Sequence, residues 1–184
     1  MYRVIILLFI LNFYNPAISS TKEDIISHIK LTDNLSFNFI QTIDDKKENG
    51  KCIIKYPKKI WCEYDNSNKK IIISNGKSLV IKNINTGSYY RYPLNKTPLV
   101  FLLDKKYLIS KMNILEPREI DNKYLNFTFF ENNNEINVFF DKISLALVGW
   151  QTEDIYQNLT VTFISSVKIN EKIDNKIFIL PKNN

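Results

Sequence analysis

Short segments in which apolar and polar residues alternate recur from "NLSFNFIQT" to "NLTVTFISSVKI", and this recurrence restricts the chain to a sheet-based fold. In the first of them Leu35, Phe37 and Phe39 alternate with Ser36 and Asn38, the period-two signature of a strand with one buried face. Further strands are predicted near residues 50–55, 60–65, 70–74, 77–84 and 88–92, and then in "YLNFTFFE", "INVFFD" and "LALVGWQTED". Asn75-Gly76 and Asn85-Thr86-Gly87 carry the turn chemistry that closes tight hairpins. Connections as short as "NNN" at 132–134 make the sheet mostly antiparallel and meandering. Ten or eleven such strands must curl, because twisted sheets of that width rarely stay flat and open.

Two apolar helical segments stand apart from the strands, one before them and one interrupting them. "STKEDIISHIKL" begins with Ser20 three residues before Glu23, a capping-box arrangement, and sets Ile25, Ile26 and Ile29 on one face. "NKTPLVFLLDKKYL" offers Thr97 as a helix cap and Pro98 as the first helical residue, with Leu99, Phe101, Leu102 and Leu103 behind them. "YLISKMNIL" continues as another helical turn or as a strand. The expected fold is therefore mainly β with small helices: a curved antiparallel sheet of about 11 strands forming an unclosed β-barrel, lidded by short α-helices whose apolar faces meet its concave side.

At the N-terminus "MYRVIILLFILNFYNPAISS" has Arg3, an apolar run from Val4 to Leu11 and the small residues Ala17 and Ser19. This is the pattern of a secretory signal peptide over residues 1–19, since the run breaks at Asn12, Asn15 and Pro16, short of a membrane span. No Cys follows the expected cleavage point, so a lipid anchor is not expected. Residues 20–184 are expected to form a single soluble domain outside the cytoplasm. The formal net charge of +6 is spread among Asp, Glu and Asn without a basic stripe, so no nucleic-acid partner is expected.

The chemistry of catalysis is sparse. His28, the one histidine, reads as an ordinary residue of the first helix, and one His with two Cys falls short of the usual metal sites. With 4 glycines no phosphate-cradling loop is expected either. The expectation is a non-enzyme without cofactor or metal. Sequons at Asn34, Asn95, Asn126 and Asn158 follow from an Asn-rich composition. On the residues alone, Phe37, Phe39, Phe127, Phe129 and Trp150 either fill a core or line a ligand site.

Taken in order, "YPKKIWCEYD", "IIISNGKSLVI", "YYRYPLNKTPLVFLL" and "LVGWQTED" resemble the periplasmic outer-membrane lipoprotein carrier family, LolA, over essentially the whole mature chain. The related receptor family, LolB, shares the fold but is lipid-anchored. The resemblance implies a monomeric periplasmic chaperone with three kinds of partner: acylated lipoproteins, an inner-membrane lipoprotein-releasing ABC transporter and a LolB-like outer-membrane receptor. It implies a cavity for acyl chains and a lid, here Ile25, Ile26, Ile29, Leu99, Phe101 and Leu102, that competes with cargo for the cavity. Taking the richer apolar face of each strand as concave, the expected lining is Leu35, Phe37, Phe39, Ile54, Phe127, Phe129, Val138, Phe140, Val161 and Phe163. Where the family usually has an arginine before the proline of this "YP", the chain has Tyr56, and the family's following aromatic falls at Cys62, with Trp61 on the opposite face. A related exported module binding another lipid or a protein partner, and an exported enzyme on a similar fold, are the competing readings.

Pairing Ile54 with Ile60 across Tyr56-Pro57 brings Cys52 opposite Cys62 on one face. In an oxidising compartment that placement predicts a cross-strand disulfide.

Overall fold

The computed structural model describes residues 21–66, 69–154 and 156–181; the expected signal peptide and the Ser20 cap lie outside the described residues. The strands are β1 Asn34–Ile43, β2 Lys46–Lys55, β3 Lys59–Tyr64, β4 Lys70–Asn75, β5 Ser78–Asn83, β6 Tyr89–Pro93, β7 Arg118–Ile120, β8 Tyr124–Glu131, β9 Asn134–Asp141, β10 Leu147–Glu153 and β11 Leu159–Ile169. The helices are α1 Thr21–Leu31, α2 Leu99–Leu103 and α3 Lys105–Ile114. All strands join one sheet in the order β6-β5-β4-β3-β2-β1-β11-β10-β9-β8-β7, every neighbouring pair antiparallel.

Two meanders, β1–β6 and β7–β11, are thus fused where the first strand pairs with the last. β6 and β7 remain as the two free edges, so the barrel is unclosed. To pass from one edge to the other the chain must cross the open side, and residues 94–117, which carry α2 and α3, make that crossing. The helices' concave placement therefore follows from topology as well as from their apolar faces.

Local chemistry supports each turn. In β4–β5, Gly76 takes φ +96° and the Asn75 side chain accepts from the backbone N–H of Lys77 and of Ser78. In β8–β9, Asn132 and Asn133 both adopt positive φ, the geometry a two-residue hairpin loop demands and asparagine tolerates. Asp104, in extended conformation between α2 and α3, caps α3 by accepting from the Tyr107 N–H at 3.2 Å. The Thr97 side chain does not cap α2. Its hydroxyl donates back to the Leu94 carbonyl at 2.8 Å, closing the preceding 3-10 turn, while Pro98 takes helical dihedrals as the first residue of the turn.

The interior is filled by the concave faces of the strands and the inner faces of the helices, with Ile25, Leu103, Met112, Phe127 and Ile136 completely buried. Ring pairs tie floor to lid: Phe101 to Tyr107 at 5.1 Å, and Tyr107 to Phe129 at 6.1 Å. On the convex side, Ile73 and Val80 are also buried, where the C-terminal 3-10 turn Asn175–Phe178 packs on β3 and β4 and inserts Phe178.

The β2–β3 ladder pairs Ile54 with Ile60 and Cys52 with Cys62, and the two sulfurs form a buried disulfide. Its sequence separation of 10 predicts a stabilisation of about 2.5 kcal/mol through the unfolded chain. Reduction, or Cys52→Ala with Cys62→Ala, should lower the melting temperature by roughly 5–10 °C. Calorimetry with and without reductant checks this.

Candidate functional site

The helices seal the end of the half-barrel at which β1 begins. The wall hairpin holds them there: the Lys58 N–H donates to the Leu103 carbonyl at 2.8 Å, and the Lys58 ammonium lies 3.1 Å from the Asp104 carboxylate. Burial alone would raise the Asp104 carboxyl, but Lys58 and the backbone N–H groups of Tyr107 and Lys106 outweigh it and hold it below its ordinary value. Lys105 donates to the carbonyls of Lys30 and Thr32 at 3.0 and 2.8 Å, joining α3 to the end of α1. The Tyr56 ring lies under that same ammonium, 5.7 Å away, and loss of hydration pushes its phenol up to about 12. The grip of wall on lid is thus shared between Tyr56, Lys58, Asp104 and Lys105.

Beyond the helical plug the concave face encloses a cavity of about 360 Å³. Its apolar wall comes from β1–β6, with Phe39, Ile60, Ile72, Leu79, Ile81 and the Cys52–Cys62 disulfide. Thr97, Pro98 and Leu99 roof it at the start of α2. The opposite wall is built by Trp150 and Thr152 of β10 and by Thr160 and Thr162 of β11. At the mouth stand Tyr90 and Tyr156, both about two-thirds exposed, and the Tyr156 hydroxyl approaches that of Tyr92 to 3.4 Å. This contact spans from the β6 edge to the β10–β11 loop and, with burial, pushes the Tyr92 phenol up to about 12.

A polar relay crosses the floor. Tyr64 donates to the Gln41 side-chain carbonyl at 2.9 Å, and the Gln41 amide donates to the Thr162 hydroxyl at 3.0 Å. Lys70 is paired with Glu48 and lies 3.8 Å over the Tyr64 ring. Burial, with Glu48 nearby, raises the Tyr64 phenol well above its usual value, so it stays a neutral donor.

The residues expected to line the cavity divide into three groups. Phe39 lines it, as does Leu99 of the expected lid. Leu35, Phe37, Ile54, Phe127, Phe129, Val138 and Phe140 are buried on the concave face in the packed core that also holds Ile25, Ile26 and Leu102, with Ile29 and Phe101 partly buried against it. Val161 and Phe163 do not face inward. Thr162, between them, pairs with Gln41 and Trp150 and points to the concave side, so β11 turns its threonines in and leaves Phe163 half exposed on the convex side. The physical reason is that the buried hydroxyls find protein partners there, Thr162 accepting from Gln41 and Thr160 donating to the Asn158 carbonyl, so they face inward at little cost.

Sequence reasoning missed the β3–β5 wall. Ile71, Ile72 and Ile73 run together because Ile72 faces the apolar cavity while Ile73, on the convex face, lies under the strap that carries Phe178, and alternation then carries no face signal. The sequon residues Asn34 and Asn126 are buried, their amides donating to the Glu171 carbonyl and the Asn137 side chain. Among the described residues no group of three or more His, Cys, Asp or Glu is placed to hold a metal, and no helix is long and apolar enough to cross a membrane.

A family model described as outer membrane lipoprotein carrier protein LolA matches residues 30–180. No curated protein matches the chain. Similar solved structures include a LolA superfamily protein from Nitrosomonas europaea, at 11% identity over 88% of this chain and 99% of that one, with a TM-score of 0.48. A putative outer membrane lipoprotein-sorting protein domain from Vibrio parahaemolyticus gives 8% identity, 84% and 94% coverage and a TM-score of 0.46. The MucA/MucB complex of Pseudomonas aeruginosa gives 5% identity, 89% and 62% coverage and a TM-score of 0.42.

Proposed function

The chain belongs to the outer membrane lipoprotein carrier protein LolA family, and from that membership we propose that it is a periplasmic chaperone for lipoprotein acyl chains. In this reading it takes lipoproteins released at the inner membrane by an ABC transporter, carries them as a monomer, and yields them to a LolB-like receptor at the outer membrane. It performs no covalent chemistry.

The observation that carries the proposal is the one-sided apolar cavity under Leu99, closed by helices that pack on the concave core and are tied to the wall hairpin through Lys58. Each methylene in water costs about 0.8 kcal/mol, so a chain of roughly 14 to 16 carbons costs on the order of 10 kcal/mol and needs an escort. At about 360 Å³ the cavity is small for such cargo. Ligand sites commonly span roughly 300–1,000 Å³. Cargo with several chains would therefore displace the helices and use the concave core they now cover, including Phe37, Phe127 and Phe129. The lid thereby competes with its cargo, which allows release as well as capture.

Depleting the protein should leave outer-membrane lipoproteins at the inner membrane, and the protein isolated from cells should carry acylated lipoproteins. Correct lipoprotein sorting after depletion, together with isolation of another lipid or a protein partner from the cavity, would overturn the carrier role in favour of a binding module with a different ligand.

A further inference from the structure

On the convex face, a recess of about 560 Å³ lies between the sheet and the C-terminal strap. Lys59 and Arg91 line it from the sheet, with Asn75 and Asn175 beside them, and Phe178 to Pro181 of the strap form the other side. No carboxylate lines it. The carbonyl oxygens of both carboxamides are already engaged: Asn75 accepts from the N–H groups of Lys77 and Ser78, and Asn175 accepts from the Lys55 ammonium at 3.0 Å. What the two amides have left to offer is N–H, so every polar side chain of the lining presents a donor.

Positive charge is concentrated here without relief. Lys55 and Lys59 stand directly opposite each other in the β2–β3 ladder, and like charges so placed cost a sheet stability. Lys55, Lys59 and Arg91 take part in none of the ion pairs formed among the described residues. Arg91 commits one N–H to the Pro181 carbonyl and keeps the other donors of its fork, while the Lys59 ammonium lies 5.8 Å from the Phe178 ring centre.

We infer that this recess is a docking site for an acidic peptide segment of a partner protein, its carboxylates meeting Lys59 and Arg91 and an apolar side chain resting on Ile179, which is 68% exposed at the rim. Cations and an apolar side chain in one recess suit the mixed acidic and apolar side chains of a peptide. A lipid surface would offer its phosphates in a layer separate from its chains. The net charge of +6 adds long-range attraction for such a segment. The recess lies across the sheet from the acyl cavity, so the inference does not rest on the acyl-chain reading, and a docked partner leaves the cavity to its cargo. It also lies beside the lid clasp, since Lys59 follows Lys58, whose N–H and ammonium hold Leu103 and Asp104.

The test is fluorescence anisotropy with a labelled glutamate-rich peptide that carries one leucine. Wild type should bind it, and Lys59→Gln with Arg91→Gln should weaken binding by at least about tenfold. Lys46→Gln with Lys47→Gln, which removes the same charge from exposed positions at the other end of β2, should change it by less than about twofold. Asn175→Asp keeps the acceptor that Lys55 uses but turns a donor of the recess into a carboxylate, so it should weaken the peptide severalfold while melting at or above the wild-type temperature. All these variants should hold a fluorescent fatty acyl probe as wild type does. Unchanged peptide affinity in the Lys59 and Arg91 pair or in Asn175→Asp, an equal loss in the Lys46 and Lys47 pair, or a change in acyl-probe binding would each overturn the docking site. So would a wild type that ignores the peptide; if it then adsorbs to phosphatidylglycerol vesicles through Lys59 and Arg91, the recess serves a lipid surface instead.

Discussion

Leu99→Asp should lower affinity for an acyl chain by at least about a hundredfold while leaving the ligand-free protein folded. Leu99 roofs the cavity from the first residue of α2 and is only partly buried, so in the free protein a carboxylate there can keep contact with water through the open mouth. An acyl chain would strip that water and leave the charge facing methylenes with no cation to pair it. Lys70 on the opposite wall is held by Glu48. The cost falls on the complex and not on the apoprotein, which distinguishes a roof over a ligand site from a residue of the core. Leu99→Met, which keeps volume and polarity, should bind within a fewfold of wild type. Titration with a fluorescent fatty acyl probe, beside circular dichroism of the free proteins, reads both quantities. Wild-type affinity in Leu99→Asp would show that chains enter elsewhere. A melting transition lowered by many degrees would place Leu99 in the core.

The same substitution at Phe101, two residues on and so on the other side of α2, should behave differently. Phe101 contacts Tyr107 across the α2–α3 break and does not line the cavity, so a charge there loosens the lid before it touches any ligand.

Much of the architecture was legible because period-two alternation, Asn and Gly turns and the single apolar interruption all point to one curled antiparallel sheet with a lid. The cysteine pair was legible for the same reason: once Tyr56-Pro57 is a turn, the ladder register follows. Three things were not. The three-residue strand β7 is too short for a period to show, and β-pairing to Asn126 and Leu125 defines it instead. The role of α3 was hidden because its cap, Asp104, and its bond to the wall through Lys58 join residues far apart in the chain. The cavity lining was misassigned because the rule that the richer apolar face points inward presumes that polar side chains find no partners inside, whereas Thr162 meets Gln41 there. That rule holds where α1–α3 plug the barrel and fails toward the mouth.

Two phenylalanines expected on the same concave surface make this boundary measurable. Phe127 of β8 is completely buried, pairs with Val138 across the ladder and meets Phe140 edge-on at 5.9 Å. Removing its ring leaves a void in a region where strands on both sides and helices above are already fixed, so Phe127→Ala should cost about 3–5 kcal/mol. Phe163 of β11 is half exposed on the convex side, paired with Ile40 and opposite Gly149, whose missing side chain lets the strands approach. Phe163→Ala creates no enclosed void and should change stability by roughly 0.5 kcal/mol or less. Denaturant unfolding of the two variants measures the difference directly. Equal, large losses would return Phe163 to the interior and, because successive residues of a strand face opposite ways, would turn Thr162 and its bond to Gln41 outward with it. A small loss at Phe163 beside a large one at Phe127 would fix the inward face of β11 as the threonine face.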